Sequence, residues 1–117
     1  MKCYKLLRKA KDGKLYPLFI NRKEATVFNE WLQAKCYPTM GFAVRTGWHC
    51  CFKPYAPHLK IDLANGEHRV WVECEAEECE KYNRPESQGG AWVLAQKLKI
   101  LRELTAQEVA EIVVHTN

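Results

Sequence analysis

No stretch of this 117-residue chain approaches the roughly 20 consecutive apolar residues that a membrane-spanning helix needs. The opening residues, MKCYKLLRKAKDGK, also lack the apolar core and the small-residue cleavage site of a secretory signal. The sequence contains neither an internal repeat nor a low-complexity tract. We therefore expect an intracellular protein without a membrane partner, folded as a single domain over residues 1–117.

Proline and glycine are few, at 5 and 6 residues, and residues 36–60 hold most of the prolines. Both residue types interrupt regular structure, so we expect residues 36–60 to be irregular apart from a short strand at Gly41–Arg45. The composition is otherwise ordinary, with 47% hydrophobic and 27% charged residues, which excludes the low-hydrophobicity class of disordered chains.

The N-terminal region predicts a β-hairpin. Residues 3–8 and 14–20 are β-prone and flank Lys11-Asp12-Gly13, where glycine accepts the positive φ that a tight turn requires. Residues 22–34 fit either a short helix, from the spacing of their apolar residues, or a loop with one helical turn.

The second half predicts a strand that is buried on one face. Arg69–Glu77 alternates between two faces, which is typical of a half-buried strand. One face carries Val70, Val72, Cys74 and Ala76, and the other carries Trp71, Glu73, Glu75 and Glu77. We expect the three glutamates to form a solvated face.

The remaining elements complete the predicted fold. The polar stretch Glu78–Gly90 predicts a long loop, and Ala91–Leu101 predicts a further strand. Thr105-Ala-Gln-Glu108 is a capping box, which opens a helix ending near His115. The predicted fold class is α+β: a small, mostly antiparallel sheet opened by an N-terminal β-hairpin and closed by a C-terminal helix.

Acidic residues are scarce in the first half of the chain. Residues 1–60 carry twelve Lys and Arg against three acids, whereas residues 61–117 carry six against eleven, giving +9 and −5. A basic half can bind nucleic acid. Alternatively, the two halves pair within one sheet and neutralise each other.

The six cysteines lack the paired spacing of structural zinc sites, in which ligands lie two to four residues apart. We therefore expect no metal; the residues that a site would have to use are His49, Cys50, Cys51, Cys74 and Cys79. Free cysteine usually behaves as a small buried hydrophobe. A nucleophilic thiolate at Cys50 or Cys51, activated by the neighbouring His49, is a further alternative.

The segment Arg45–His58, reading RTGWHCCFKPYAPH, is chemically the most varied part of the chain. Its cations, indole, imidazoles and phenol suit a binding surface, to which the next strand and the Glu78–Gly90 loop would add further groups. The candidate ligand-binding residues are Arg45, Trp48, His49, Tyr55, His58, Glu73, Glu75, Tyr82 and Arg84. Trp48 is alternatively a core residue, and the loop a plain solvent-exposed connection.

Several ordered motifs resemble a group of small proteins from phages, prophages and conjugative elements of gut bacteria. The shared motifs are LYPLF at 15–19, FAVRTGWH at 42–49, RVWVECE at 69–75 and WVLAQKLKILRELTAQEV at 92–109. Thr46 stands where the group usually has proline. The resemblance implies an accessory protein in the cytoplasm of a bacterial host. We expect it to bind a host protein or a small anionic ligand, in host manipulation or counter-defence.

A more distant likeness points to an enzyme. A histidine-bearing turn followed by a V-W-x-E-x-E strand resembles the split-sheet domain of ADP-ribosyltransferases. That resemblance implies an NAD-using enzyme in which Arg45 and His49 grip the cofactor and Glu73, Glu75 or Glu86 acts on the ribose. If the protein is not such an enzyme, we expect no cofactor.

Overall fold

The computed structural model describes residues 1–18, 25–33, 48–56, 59, 61–63, 67–88 and 90–115. The elements in chain order are β1 (Lys2–Lys9), β2 (Leu15–Tyr16), β3 (Trp31–Gln33), β4 (Trp48–Cys51), β5 (His68–Asn83), a 3₁₀ turn (Glu86–Gln88), β6 (Ala91–Glu103) and α1 (Ala106–His115). All pairings between these strands are antiparallel. The predicted mostly antiparallel sheet with a C-terminal helix is therefore confirmed.

The sheet closes on itself. β1 pairs with β5 along one edge and, through Tyr4 and Cys51, with β4 along the other. β6 in turn pairs with β5 on one edge and with β4 on the other. The ring β1–β5–β6–β4 thus forms a small barrel, which removes the open edges of its long strands.

The two longest strands, β5 and β6, form a hairpin that sets the length of the barrel. Their register shifts between Glu73 and Cys74, where Leu101 is the extra residue on β6 and makes a β-bulge. The prediction of a loop over Glu78–Gly90 was wrong in its first part, because β5 continues to Asn83. The prediction relied on the polar composition of this stretch, yet cross-strand pairing continues through it in the same register, although Glu78 has a φ of 55°.

The inside of the ring is a small apolar core. It contains Cys3, Leu7, Leu15, Cys50, Val72, Cys74, Ala76, Val93, Ala95, Leu98 and Ile100. Three of these residues come from the apolar face predicted for Arg69–Glu77, and that face is confirmed. Small cysteine and alanine side chains suit an interior that four strands leave narrow.

A second apolar cluster covers part of the outside of the sheet. It contains Tyr4, Leu6, Cys51, Ala56, Trp71, Trp92 and Leu104, with Val109 and Ile112 of α1 packed against it. Trp71 and Glu73 are consequently buried, and the prediction that Glu73 belongs to a solvated face was wrong. The alternation identified the two faces correctly but not the helix that covers the second one.

The capping box at the start of α1 is confirmed. The Glu108 backbone N–H donates to the Thr105 hydroxyl at 3.1 Å, and the Thr105 N–H donates to the Glu108 carboxylate at 3.0 Å. These bonds satisfy donors that have no partner within the first turn of a helix. Among the described residues, no helix is long and apolar enough to cross a membrane.

The pairing at the N-terminus is shorter than predicted. β2 pairs with β1 at Arg8↔Tyr16 and Lys9↔Leu15, and Gly13 adopts the expected positive φ of 82° in the intervening turn. Residues 19–20 of the predicted second strand lie outside the described residues. The structure therefore shows a two-residue pairing at this position.

Two predictions for the middle of the chain were wrong where the structure describes it. Trp31–Gln33 is a strand paired with β6, and Asn29 has a φ of 60° that a continuous helix does not adopt. Trp48–Cys51 is a strand rather than irregular chain, because β1 and β6 both pair with it. The predicted strand at Gly41–Arg45 lies outside the described residues.

Candidate functional site

The barrel has one end at which three strands bring distant parts of the sequence together. At this end β4 and β5 finish and β6 begins, with Cys51 opposite Trp92 and Trp92 opposite Tyr82. The aromatic and basic side chains around this end, which we call the rim surface, are His49, Phe52, Lys53, Tyr55, Lys81, Tyr82, Arg84 and Trp92. The rim surface thus joins the RTGWHCCFKPYAPH segment to the end of β5.

His49 and Tyr82 make the central polar contact of the rim surface. The His49 Nδ1 lies 2.7 Å from the Tyr82 hydroxyl, and the two rings meet edge to face with centroids 5.8 Å apart. Burial raises the pKa of Tyr82, and the nearby Arg84 guanidinium opposes that rise. The phenol therefore stays protonated at neutral pH and holds the imidazole in a fixed position.

Arg84 lies over two aromatic rings. Its guanidinium carbon is 4.8 Å from the ring centroid of Trp92 and 5.6 Å from that of Tyr82. The Trp92 indole N–H donates to the Gln88 carbonyl at 2.7 Å, which fixes the ring under the guanidinium. Among the described residues Arg84 forms no ion pair with a carboxylate. Because an aromatic ring carries no net charge, the positive charge of Arg84 remains uncompensated.

Two lysines repeat this arrangement nearby. The Lys53 ammonium lies 5.2 Å from the ring centroid of Tyr55, and the Lys81 ammonium lies 5.5 Å from that of Phe52. Neither lysine is paired with a carboxylate in the described part of the chain. The rim surface therefore carries three cation-on-ring units, each with a free charge.

Carboxylates are also present at this end of the barrel. Glu80 precedes Lys81 on β5, and Glu86 begins the 3₁₀ turn; both are exposed. The described residues include no ion pair between either glutamate and Lys81 or Arg84. This end of the barrel is therefore not positively charged throughout. An anion that binds here must contact the individual cations that lie on aromatic rings.

Not all predicted site residues belong to this surface. Of the nine, the structure brings together His49, Tyr55, Tyr82 and Arg84 at the same end of the barrel. Trp48 points to the opposite face of β4, where it packs against the inner core, donates to the Leu32 carbonyl at 3.2 Å and lies under Lys5. Arg45 and His58 lie outside the described residues.

The two predicted acidic site residues have structural partners elsewhere. Glu73 binds Lys2 at 2.8 Å and Arg102 at 2.9 Å, and the hydrogen bond from Lys2 is the main cause of its lowered pKa. Tyr4 lies between Glu73 and Cys51 in the strand register, so a whole strand separates Glu73 from β4. Glu75 lies 3.2 Å from the amino group of Met1.

Four of the five described cysteines are buried thiols, and Cys79 is exposed. Cys3, Cys50 and Cys74 are fully buried inside the barrel, and the described cysteines are all free. Hydrogen bonding to Cys3 and burial raise the pKa of Cys50, and burial raises the pKa of Cys51 to about 12. Thiols with raised pKa values are poor nucleophiles at neutral pH.

A metal site would have to use several of the same residues. In the ranges that the structure describes, no three His, Cys, Asp or Glu side chains are grouped so that they could hold a metal ion. His49 and Cys50 point to opposite faces of β4, because neighbouring side chains alternate along a strand. The imidazole therefore belongs to the rim surface and the Cys50 thiol to the inner core.

Sequence reasoning did not select four residues of the rim surface: Phe52, Lys53, Lys81 and Trp92. A signal for three of them is present, because Phe52-Lys53-x-Tyr55 and Lys81-Tyr82-x-Arg84 are short segments in which aromatic and basic residues alternate. Trp92 lies at the start of a predicted strand, and its role depends on Tyr82 and Arg84 arriving from β5. Comparisons with protein-family models, with curated proteins and with solved structures find no match to this chain.

Proposed function

We propose that the protein acts by binding a negatively charged ligand at the rim surface. The proposal depends on the position of the Arg84 guanidinium. It lies on the rings of Trp92 and Tyr82 and has no carboxylate partner among the described residues. A guanidinium already oriented by stacking loses less freedom when it binds a phosphate or carboxylate. Tyr82 and His49 add polar atoms next to it.

The context of the proposal comes from the resemblance to small proteins of phages and conjugative elements. An accessory protein of this kind would act in the bacterial cytoplasm, in host manipulation or counter-defence. Small anionic ligands and acidic segments of a host protein both fit the chemistry of the rim surface. Aromatic and arginine side chains also supply much of the binding energy at the centre of protein interfaces.

A titration monitored by NMR tests this proposal. Phosphate esters and an acidic peptide are added separately to ¹⁵N-labelled protein, and the Trp92 indole N–H and the Arg84 backbone signal are followed. We expect at least one anion to shift both signals, and Arg84→Gln to weaken that binding about tenfold, as loss of a charge-assisted contact does.

Lys9→Gln is the matched control, because Lys9 is paired with Glu103 at 3.1 Å and lies on β1. This variant should bind the anion as the wild type does. If no anion moves the Trp92 and Arg84 signals, or if both variants lose affinity equally, the proposal is wrong.

The NAD-using enzyme is the second candidate and can be tested on the same samples. It requires nicotinamide release from NAD, with loss of activity in His49→Ala and retention in Lys11→Ala. The ion pairs of Glu73 with Lys2 and Arg102 favour a structural role for that carboxylate, which leaves Glu75 or Glu86 to act on the ribose. Absence of nicotinamide release would leave anion binding as the function.

A further inference from the structure

The rim surface contains a repeated pair of groups rather than one isolated cation. Arg84 lies on Tyr82 and Trp92, Lys81 on Phe52, and Lys53 on Tyr55. Each unit offers an aromatic ring beside a positive charge. A ligand that repeats a flat ring and a negative charge along its length can place its rings on these aromatic rings and its negative charges beside these cations.

The units lie at one end of the barrel but on different elements. Lys81 and Phe52 come from β5 and from the chain after β4, and their contact spans the first residues of β6. Ala56, next to Tyr55, belongs to the same apolar cluster as Trp92. Phe52 packs against the inner core, whereas Tyr82 and Trp92 belong to the outer cluster. The units therefore lie on both sides of the sheet at this end of the barrel, and a ligand that contacts all of them has to extend across the strand ends.

We infer that the ligand of the rim surface is single-stranded nucleic acid, an inference that rests on the proposed anion-binding function. Unpaired bases stack on exposed aromatic rings, and phosphates contact the adjacent cations. Tyr55, a residue that is 41% exposed, is the open stacking platform, whereas Trp92 is buried and supports Arg84 from below. In a duplex the bases are already stacked on one another, so double-stranded DNA should bind more weakly.

Three of the four basic residues of β1 are paired with carboxylates and so do not carry this interaction. Lys2, Arg8 and Lys9 are paired with Glu73, Glu67 and Glu103. These three cations are therefore compensated, and the fourth, Lys5, donates to the His49 carbonyl at 2.9 Å and lies over the Trp48 ring. Nucleic-acid binding is accordingly assigned to the rim surface, which uses residues from both halves.

The experiment compares two fluorescent oligonucleotides of about 12 nucleotides, within the site sizes of small single-strand-binding modules. One carries bases and the other is abasic, so that both have the same phosphates. Anisotropy titrations should show at least tenfold tighter binding of the base-bearing strand. Tyr55→Ala should remove most of that difference, and Lys11→Ala, at the opposite hairpin turn, should have no effect.

The salt dependence gives an independent readout. Three phosphate contacts by Lys53, Lys81 and Arg84 predict a slope of log affinity against log salt of about −2, and Arg84→Gln should reduce its size by about 0.7. Glu80→Gln should tighten binding of both strands several-fold, because it removes a repelling carboxylate from the face of β5 that carries Tyr82.

The outcomes separate this inference from the proposed function. If the abasic strand binds as tightly as the base-bearing strand and Arg84→Gln weakens both, anion binding stands and recognition of single-stranded nucleic acid is wrong. If an acidic peptide binds while neither strand does, the inference is again overturned and a protein ligand is favoured. If none of these anions binds, both the inference and the proposed function fail.

Discussion

Two regions of the molecule carry lysine and arginine with different neighbours: the rim surface, and the group of Lys2, Lys9 and Arg102 with their carboxylate partners, which we call the β1 side. On the β1 side Lys2 and Arg102 share Glu73, and Arg102 also contacts Glu108 of α1. Lys9 likewise binds Glu103 across the sheet. At the rim surface the cations lie on aromatic rings and have no carboxylate partner among the described residues, as is also true of Lys5 of β1 over Trp48. The same residue types thus hold elements together in one region and keep a free charge in the other.

The difference follows from what each neighbour does to the charge. A carboxylate neutralises a cation and fixes two elements relative to each other, at the cost of removing both groups from water. An aromatic ring attracts a cation by only about 0.5–1 kcal/mol at an exposed site and leaves its charge intact. Substitutions of the ion-paired groups on the β1 side should therefore change stability, and substitutions of the cations at the rim surface should change binding.

Glu73→Ala should have the largest effect on stability. The residue is buried, and its removal leaves Lys2 and Arg102 without their shared partner. Both cations are partly exposed, so we expect a loss of about 2 kcal/mol, below the range for a fully buried pair. Urea denaturation measures the change, and Glu80→Ala, an exposed glutamate without an ion pair in the described structure, should change it by less than about 0.5 kcal/mol. Equal losses of unfolding free energy in Glu73→Ala and Glu80→Ala would show that the ion pairs of Glu73 do not stabilise the fold.

The contribution of Glu73 should also depend on pH. Its pKa in the folded protein is lowered from the ordinary value of 4.5, chiefly by the hydrogen bond from Lys2. The stability that it contributes is therefore complete well above pH 4.5 and is lost as the pH falls through the lower folded-state pKa. The difference in unfolding free energy between wild type and Glu73→Gln should shrink across that acidic range. A difference that is constant from neutral pH to pH 3 would contradict this role.

Tyr82→Phe should have a smaller effect, of about 1 kcal/mol, because it removes the hydrogen bond to His49 but keeps the ring under Arg84. Thermal unfolding measures the loss, and the NMR signals of the His49 ring report whether the imidazole becomes mobile. Tyr16→Phe is a control, since the Tyr16 hydroxyl donates to Asp12 at the exposed turn. An unchanged His49 ring signal would show that Tyr82 does not position it.

Arg84→Gln should have the smallest effect on stability, within about 0.5 kcal/mol, because the side chain contacts rings but no carboxylate in the described structure. Arg102→Gln is the matched variant from the β1 side and should cost more, since it frees both Glu73 and Glu108. Urea denaturation of the two variants side by side measures the difference. A larger loss in Arg84→Gln would place Arg84 among the structural cations.

Local patterns in the sequence predicted the local elements. The capping box located the start of α1, and the alternation of Val72, Cys74 and Ala76 identified the core face of β5. Closure of the sheet was not predictable in this way, because it depends on β4 pairing with two strands from opposite ends of the chain. The environment of Glu73 was missed for the same reason, since both its partners are distant in sequence.

The candidate site was predicted as a set of residue types rather than as an arrangement. Alternation along β4 sends His49 and Trp48 to opposite faces, so their adjacency in sequence was misleading. Tyr82 and Arg84 were placed in a long loop, whereas Tyr82 belongs to β5 and Arg84 follows directly after it. The stacking of Arg84 on Trp92 depends on the β5–β6 register, which no local pattern specifies.

The most direct test of the contrast between the two regions is the salt dependence of binding to the abasic oligonucleotide, in which only charge contributes. Wild type and Lys9→Gln should show the same slope of log affinity against log salt, whereas Arg84→Gln should show a slope smaller in size by about 0.7. Such a result would identify the stacked guanidinium as a free charge that meets the ligand. Equal slopes for Lys9→Gln and Arg84→Gln, both below that of the wild type, would contradict the account.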